Sequence, residues 1–222
     1  DPKVPGVLSA TLLPNWANID LVEALHNRLS VPIIVDNDAN MGAFSEFWWS
    51  GCVQELAFVQ LGTGVGSGFL SNGNIHYGLR GTAGEIGHLS IDPEGPLCVC
   101  GQRGCLVKFV GAEALRATAI RAGLEAPPAV IVDGFADRVQ QGDLAAVREA
   151  EKISIHMATG LTSVIHVFAP EVIFLAGSLS RFGHRFVEDL ENRVNEQALL
   201  PPDARVEVRM ASHGSKAVAK GA

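Results

Sequence analysis

The sequence predicts an α/β domain built on a mixed sheet, and three observations predict it. Short β-branched or apolar runs at 31–38, 56–62, 171–178 and 205–210 read as strands. A glycine-rich stretch holding Asn72-Gly73 reads as a hairpin. One long segment of helical periodicity, 143–168, falls between strands, so hairpins come early and strand–helix alternation comes late.

The elements follow in chain order. Asp20 caps a helix, with Glu23 three residues on as its reciprocal partner. Leu21, Val22, Leu25 and Leu29 then share one face. The run VPIIVDND (31–38) reads as a buried strand that delivers Asn37 and Asp38 at its tip, and 39–49 as a helix. LAFVQLG (56–62) is a second strand, and 66–78 a hairpin turning at Asn72-Gly73. APPAVIVDG (126–134) reads as a surface connection. In 143–168, Val147, Ala150, Met157, Leu161, Val164 and Phe168 recur at helical spacing, and Pro170 ends the helix. EVIFLAGS (171–178) is a buried strand followed by a glycine turn and a helix, and RVEVRM (205–210) is the last strand. There is no internal repeat and no low-complexity segment.

Composition bounds the function. The chain has 222 residues, 47% hydrophobic and 18% charged, enough for one large domain or one domain plus part of another. With a mean hydropathy of +0.22 it reads as a compact cytoplasmic protein. No apolar run reaches the roughly 18 residues of a membrane helix, so no span is expected. The net charge is −7, and no stretch clusters Lys and Arg as a duplex-binding surface requires. These residues are therefore not expected to grip DNA themselves. The chain opens DPKVPG without a methionine and closes KAVAKGA in a predicted helix; both ends read as those of an excised fragment.

Cys98, Cys100 and Cys105 lie in CVCGQRGC, preceded by His88. Three thiolates and one imidazole satisfy tetrahedral zinc, and four protein ligands imply a structural ion. Gly101 and Gly104 let the backbone fold tightly enough for the sulfurs to converge. In a cytosolic chain close cysteines favour metal over disulfide, and a Cys98–Cys100 bridge would be strained. Cys52 stands apart and reads as a buried apolar cysteine.

LGTGVGSG (61–68) follows a strand, and its glycines let a phosphate or a sugar approach the backbone. A glycine-rich hairpin equally needs no ligand, and a strand after the loop argues against a dinucleotide fold. Asn37-Asp38 at a strand end suits a ligand site, yet Asp38 ahead of a helix is also a natural cap. In TAGEIGHLSID (82–92), a helical turn would put Glu85 and His88 on one face. His88 would hold zinc through one ring nitrogen and present the other to a ligand hydroxyl. The bland alternative for Glu85 is a solvated surface carboxylate.

Taken in order and spacing, NDAN (37–40), LGTGVGSG (61–68), GTAGEIGH (81–88) and CVCGQRGCL (98–106) resemble the ROK family of sugar-responsive repressors, open reading frames and sugar kinases. LPNWANIDL (13–21) and AGSLS (176–180) add to the likeness, which runs along the whole chain. The resemblance implies an actin-like ATPase (ribonuclease H-like) fold, the second lobe plus part of the first. On that frame 1–36 ends the small lobe and 37–204 forms the large lobe with its zinc site. Residues 205–222 supply a last strand and helix that can return to the small lobe. The start of the small lobe, and in the repressor branch an N-terminal DNA-binding module, would precede residue 1.

The resemblance also implies residue roles. Asn37, Asp38, Glu85 and His88 would contact sugar hydroxyls, and His88, Cys98, Cys100 and Cys105 would hold zinc. In a kinase Asp38 would be the catalytic base, with ATP and magnesium steadied by Gly62, Thr63, Gly64 and Gly66. Two positions depart from the pattern. Sugar-phosphorylating members carry a glutamate where this chain has Val107, and the first glycine of the adenosine turn is Ala176. Both favour a sugar-sensing regulator, a homodimer or homotetramer reaching DNA through its N-terminal module, over an ATP-dependent sugar kinase. A binding protein that has lost both activities is the third reading.

Overall fold

The computed structural model describes residues 19–213 and 216–221. The chain start and most of LPNWANIDL lie outside them. Helix α1 (Leu21–His26) starts as expected, the Asp20 side chain accepting the Glu23 N–H at 2.9 Å. On its apolar side Val22 is half-buried and Leu25 exposed, as is Leu29 just beyond the helix. The 31–38 run is not the buried strand its composition predicts. Residues 32–37 are irregular, and Ile34 is 91% exposed. β-Branched residues favour extended backbone, but a strand exists only with a ladder partner, and none among the described residues pairs with this segment.

Strands β1 (Leu56–Leu61), β2 (Val65–Ser71), β3 (Asn74–Ile75), β4 (Val172–Gly177) and β5 (Glu207–Met210) form one sheet in the order β3-β2-β1-β4-β5. β1–β2 and β2–β3 are antiparallel, whereas β1–β4 and β4–β5 are parallel, so the sheet is mixed. The β2–β3 turn is the expected one, with Asn72 at φ 51° and Gly73 at φ 71°. Strand β5 extends the edge beside β4.

Both faces of the sheet are covered, which is why β1 and β4 read as continuous apolar runs. Ala57, Val59, Leu61, Ile173 and Leu175 enter the larger core. Helices α4 (Ala112–Arg121), α5 (Ile131–Gln140), α6 (Leu144–Phe168) and α7 (His184–Gln197) supply much of the rest, with further residues from β2, β5 and the loops. Leu56, Phe58, Val172, Phe174 and Ala176 enter a smaller core with helix α2 (Asp38–Trp49), against which α8 (Ala217–Gly221) packs.

Helix α6 matches its predicted span. Asp143 caps it by accepting the Ala146 N–H at 2.9 Å, and Ala169, at φ 50°, closes it ahead of Pro170. The predicted surface connection is shorter than 126–134, because α5 begins at Ile131. Pro127 and Pro128 mark a true loop, but Ile131 and Phe135, four apart and both buried, anchor a helix. Cys52 also departs from expectation. It is exposed, in the turn after α2, at φ 59°. Among the described residues no helix is long and apolar enough to cross a membrane.

Candidate metal centre and ligand pocket

The cysteine segment folds as a tight knuckle. The Cys98 N–H donates to the Gln102 carbonyl at 2.8 Å and the Gly101 N–H to the Cys98 carbonyl at 3.0 Å, with Gly101 at φ 90°. At Gly104 a Cβ would lie 1.6 Å from the Asp92 carbonyl oxygen, so glycine is obligatory there. The Ile91 N–H donates to the Gly104 carbonyl and the Leu106 N–H to the Leu89 carbonyl, which draws His88 alongside the sulfurs.

The ligand atoms of His88, Cys98, Cys100 and Cys105 all lie within 4.8 Å of one another. Cys98 Sγ is 3.5 Å from His88 Nδ1, and Cys100 Sγ is 3.6 Å from Cys105 Sγ. A zinc tetrahedron with bonds of about 2.0–2.3 Å has edges of roughly 3.5–3.8 Å, so both separations fit it. A disulfide needs about 2.05 Å. The crowded thiols are shifted in opposite directions. Burial, followed by hydrogen bonds from the neighbouring thiols, pushes Cys105 up to about 12. The exposed Cys100 is lowered to about 7, first by a hydrogen bond with the Gln102 backbone. A divalent ion would remove this conflict by holding the sulfurs as thiolates. The cluster is consistent with a structural zinc.

Asn37 and Asp38 open α2. Capping falls to Asn37 rather than Asp38: its Oδ1 accepts the N–H groups of Ala39 at 2.9 Å and Asn40 at 3.3 Å. Asp38 is the first helical residue and its side chain is exposed, one carboxylate oxygen accepting the Ala39 N–H at 2.9 Å. Glu85, also exposed, leads into the 3₁₀ turn Ile86–His88, which the buried Ile86 anchors.

The first half of β2 joins these two groups. On its face, a Cβ on Gly68 would lie 2.5 Å from the Ala39 carbonyl oxygen, at the start of α2. Beside it, a Cβ on Gly84 would lie 2.1 Å from the Ser67 carbonyl oxygen, and one on Gly87 2.5 Å from that of Val65. Ser67 Oγ donates to the Gly84 carbonyl at 2.8 Å. The run 65–68 therefore touches both the helix start bearing Asn37-Asp38 and the turn bearing Glu85 and His88. Gly66 and Gly68 serve this packing. Gly62, Thr63 and Gly64 make the β1–β2 turn, closed by the Gly62 N–H to the Gly64 carbonyl at 3.0 Å.

Sequence reasoning missed Asp36 and Tyr77. One Asp36 oxygen accepts the Asn37 N–H at 2.7 Å and the Asn40 Nδ2 at 3.0 Å, while the other accepts the Tyr77 O–H at 2.7 Å. Burial, then this hydrogen bond and the adjacent negative charge, push Tyr77 up to about 12. No local spacing links residues 41 apart; the one cue is that Tyr77 is the chain's single tyrosine. A cavity of about 510 Å³ between α5, α6 and α7 shares no residue with this site.

The ROK family model matches residues 4–222. The chain belongs to the ROK family. The xylose repressor of Caldicellulosiruptor bescii is 28% identical over 98% of this chain and 59% of the repressor. A glucokinase of Thermotoga maritima is 30% identical over 82% of this chain and 61% of the kinase. The ROK glucokinase of Streptomyces griseus, solved with glucose and AMPPNP, has a TM-score of 0.83 at 25% identity, over 98% of this chain and 75% of that one. This ROK chain has the sugar-kinase-like, actin-like α/β fold, and it spans about 59% of the length of the xylose repressors it matches.

The two departures from the family pattern differ in weight. Ala176 is buried within β4 and its methyl joins the smaller core. Val107 starts α3 (Val107–Val110), directly behind the Cys105-Leu106 pair, and packs against the larger core.

Proposed function

We propose that this chain is the sugar-sensing portion of a ROK transcriptional regulator, with Asn37, Asp38, Glu85 and His88 meeting the hydroxyls of a sugar or sugar derivative. Amide, carboxylate and imidazole groups on the two sides of β2 suit a ligand rich in hydroxyls. Zinc on Nδ1 of His88 leaves Nε2 for such a contact. The observation that carries the regulator over the enzyme is Val107, which cannot accept a hydroxyl proton where the sugar-phosphorylating members hold a carboxylate. The alignment with xylose repressors over nearly the whole chain supports the same reading. Sugar would favour one of two lobe arrangements and so shift a homodimer or homotetramer between DNA-bound and released states, through an N-terminal module.

The test uses the full-length protein. Binding to DNA from upstream of its own gene, released by D-xylose, D-glucose or a related sugar, is the expected result. ADP release that requires both sugar and ATP would overturn it in favour of a sugar kinase. One observation supports that second reading: Asp38 presents an exposed carboxylate, which in a kinase would take the proton of an attacking hydroxyl. In that case Asp38→Asn abolishes turnover.

A further inference from the structure

We propose that Tyr77 and Asp36 form a latch that fixes Asn37 and Asp38 relative to the turn carrying Glu85 and His88, making Tyr77 a positioning residue for the ligand. The inference rests on the sugar-sensing reading and adds to it residues that touch no ligand.

Tyr77 holds both halves of the pocket. Its hydroxyl donates to Asp36 at 2.7 Å, on the segment leading into α2. Its carbonyl accepts the Ala83 N–H at 3.0 Å, closing the loop that runs into Gly84 and Glu85. Within that loop Gly78, at φ 64°, brings the backbone close: a Cβ there would lie 3.1 Å from the Ala83 Cβ. One residue therefore ties the helix start to the 84–88 turn, by side chain on one side and by backbone on the other.

Asp36 is committed to this task. Its two oxygens accept from the Asn37 N–H, the Asn40 side chain and Tyr77. Asn40 is only 5% exposed and gives one Nδ2 hydrogen to Asp36, so it takes part in the latch. The segment before α2 has no ladder partner among the described residues, so the Tyr77 hydroxyl is its tie to the hairpin. Without that tie, Asn37 and Asp38 would sample positions that the ligand must select at a cost in affinity.

The experiment compares wild type, Tyr77→Phe and Asp36→Asn in the full-length protein. Calorimetric affinities for D-xylose and D-glucose are read beside zinc content and Tm. A hydrogen bond to a charged group has a net worth equivalent to about tenfold or more in binding. Tyr77→Phe is expected to weaken the bound sugar by about that factor with zinc unchanged, and Asp36→Asn, which retains an acceptor oxygen, by less. The phenolate absorbance, taken as the difference between wild type and Tyr77→Phe, reads the latch without sugar. A free phenol is half ionised at pH about 10. Tyr77 should be almost un-ionised there, and Asp36→Asn should raise its ionised fraction while burial keeps it below half. Equal sugar affinity in Tyr77→Phe and wild type overturns the positioning role, and a wild-type phenol ionising normally overturns the latch itself. Normal latch behaviour in a wild type that binds no sugar fails the sensing reading instead, and removes the positioning role with it.

Discussion

Glu46 is fully buried in α2, and its carboxylate accepts the N–H and O–H of Ser212 at 2.9 and 2.8 Å and the hydroxyl of Ser50 at 3.3 Å. It joins the helix that begins with Asn37-Asp38 to the chain beyond β5. Truncation removes the acceptor of the Ser212 N–H and O–H and leaves a void where the buried carboxylate sat. Glu46→Ala should therefore cost about 2–4 kcal/mol and Glu46→Gln, which keeps an acceptor oxygen, about 1 kcal/mol, read by urea unfolding. Val107 makes a functional prediction at the same scale. Val107→Glu returns a carboxylate to the first turn of α3 and should tighten D-glucose binding roughly tenfold by calorimetry. Unchanged affinity would mean that this position does not face the sugar. Residues were unevenly legible in the sequence. The candidate zinc ligands were legible because thiols and an imidazole at close spacing most often share a metal. Asp36, Tyr77 and Glu46 did not, because each acts through a partner distant in the chain.

Helix α6 shows how a local signal becomes an element. Asp143 sits below the ordinary carboxylate value of 3.8, first because it accepts the Ala146 N–H and then because of the Arg138 charge. A depressed folded-state pKa contributes stability above the unfolded value and loses it as pH falls through the folded one. Asp143→Asn keeps a capping oxygen but no charge. It should hold Tm within about 2 °C of wild type at neutral pH, and show a shallower fall than wild type below the unfolded value. Parallel thermal scans against pH check this, and identical acid limbs would remove Asp143 from the account. The same element was legible because its periodicity and Pro170 are both local, although the Asp143 cap emerged only in the structure. So were β1 and β4, buried on both faces. The 31–38 run carried an equally strong β pattern, but a ladder is a property of two segments and no partner lies among the described residues. The 126–134 stretch was misjudged because two prolines outweighed the four-residue spacing of Ile131 and Phe135.

At the scale of the whole molecule, the candidate metal knuckle meets the sheet and its core through Gly84 and Gly87 against β2, through Ile86 and, most deeply, through Leu106. This residue is fully buried in the larger core, and its N–H donates to the Leu89 carbonyl beside His88. The sheet and its helices close their own cores without using any zinc ligand as a main support. The 84–106 region instead depends on four side chains converging, with Cys105 pushed up to about 12 when only thiols surround it. Stripping zinc with a tight chelator should therefore leave the far-UV signature of the sheet in place. It should raise amide exchange across 84–106 and lower Tm by about 5 °C or more. Sugar affinity should fall with the metal, because His88 loses its orientation and the Glu85 turn its brace. Gly104→Ala should reproduce these effects without a chelator, since its Cβ would collide with the Asp92 carbonyl. Metal analysis of the untreated protein should return about one zinc per chain, as four ligands around one centre require. Exchange that stays unchanged after chelation would show that hydrogen bonds alone hold the knuckle, and the link from metal to pocket would then be lost.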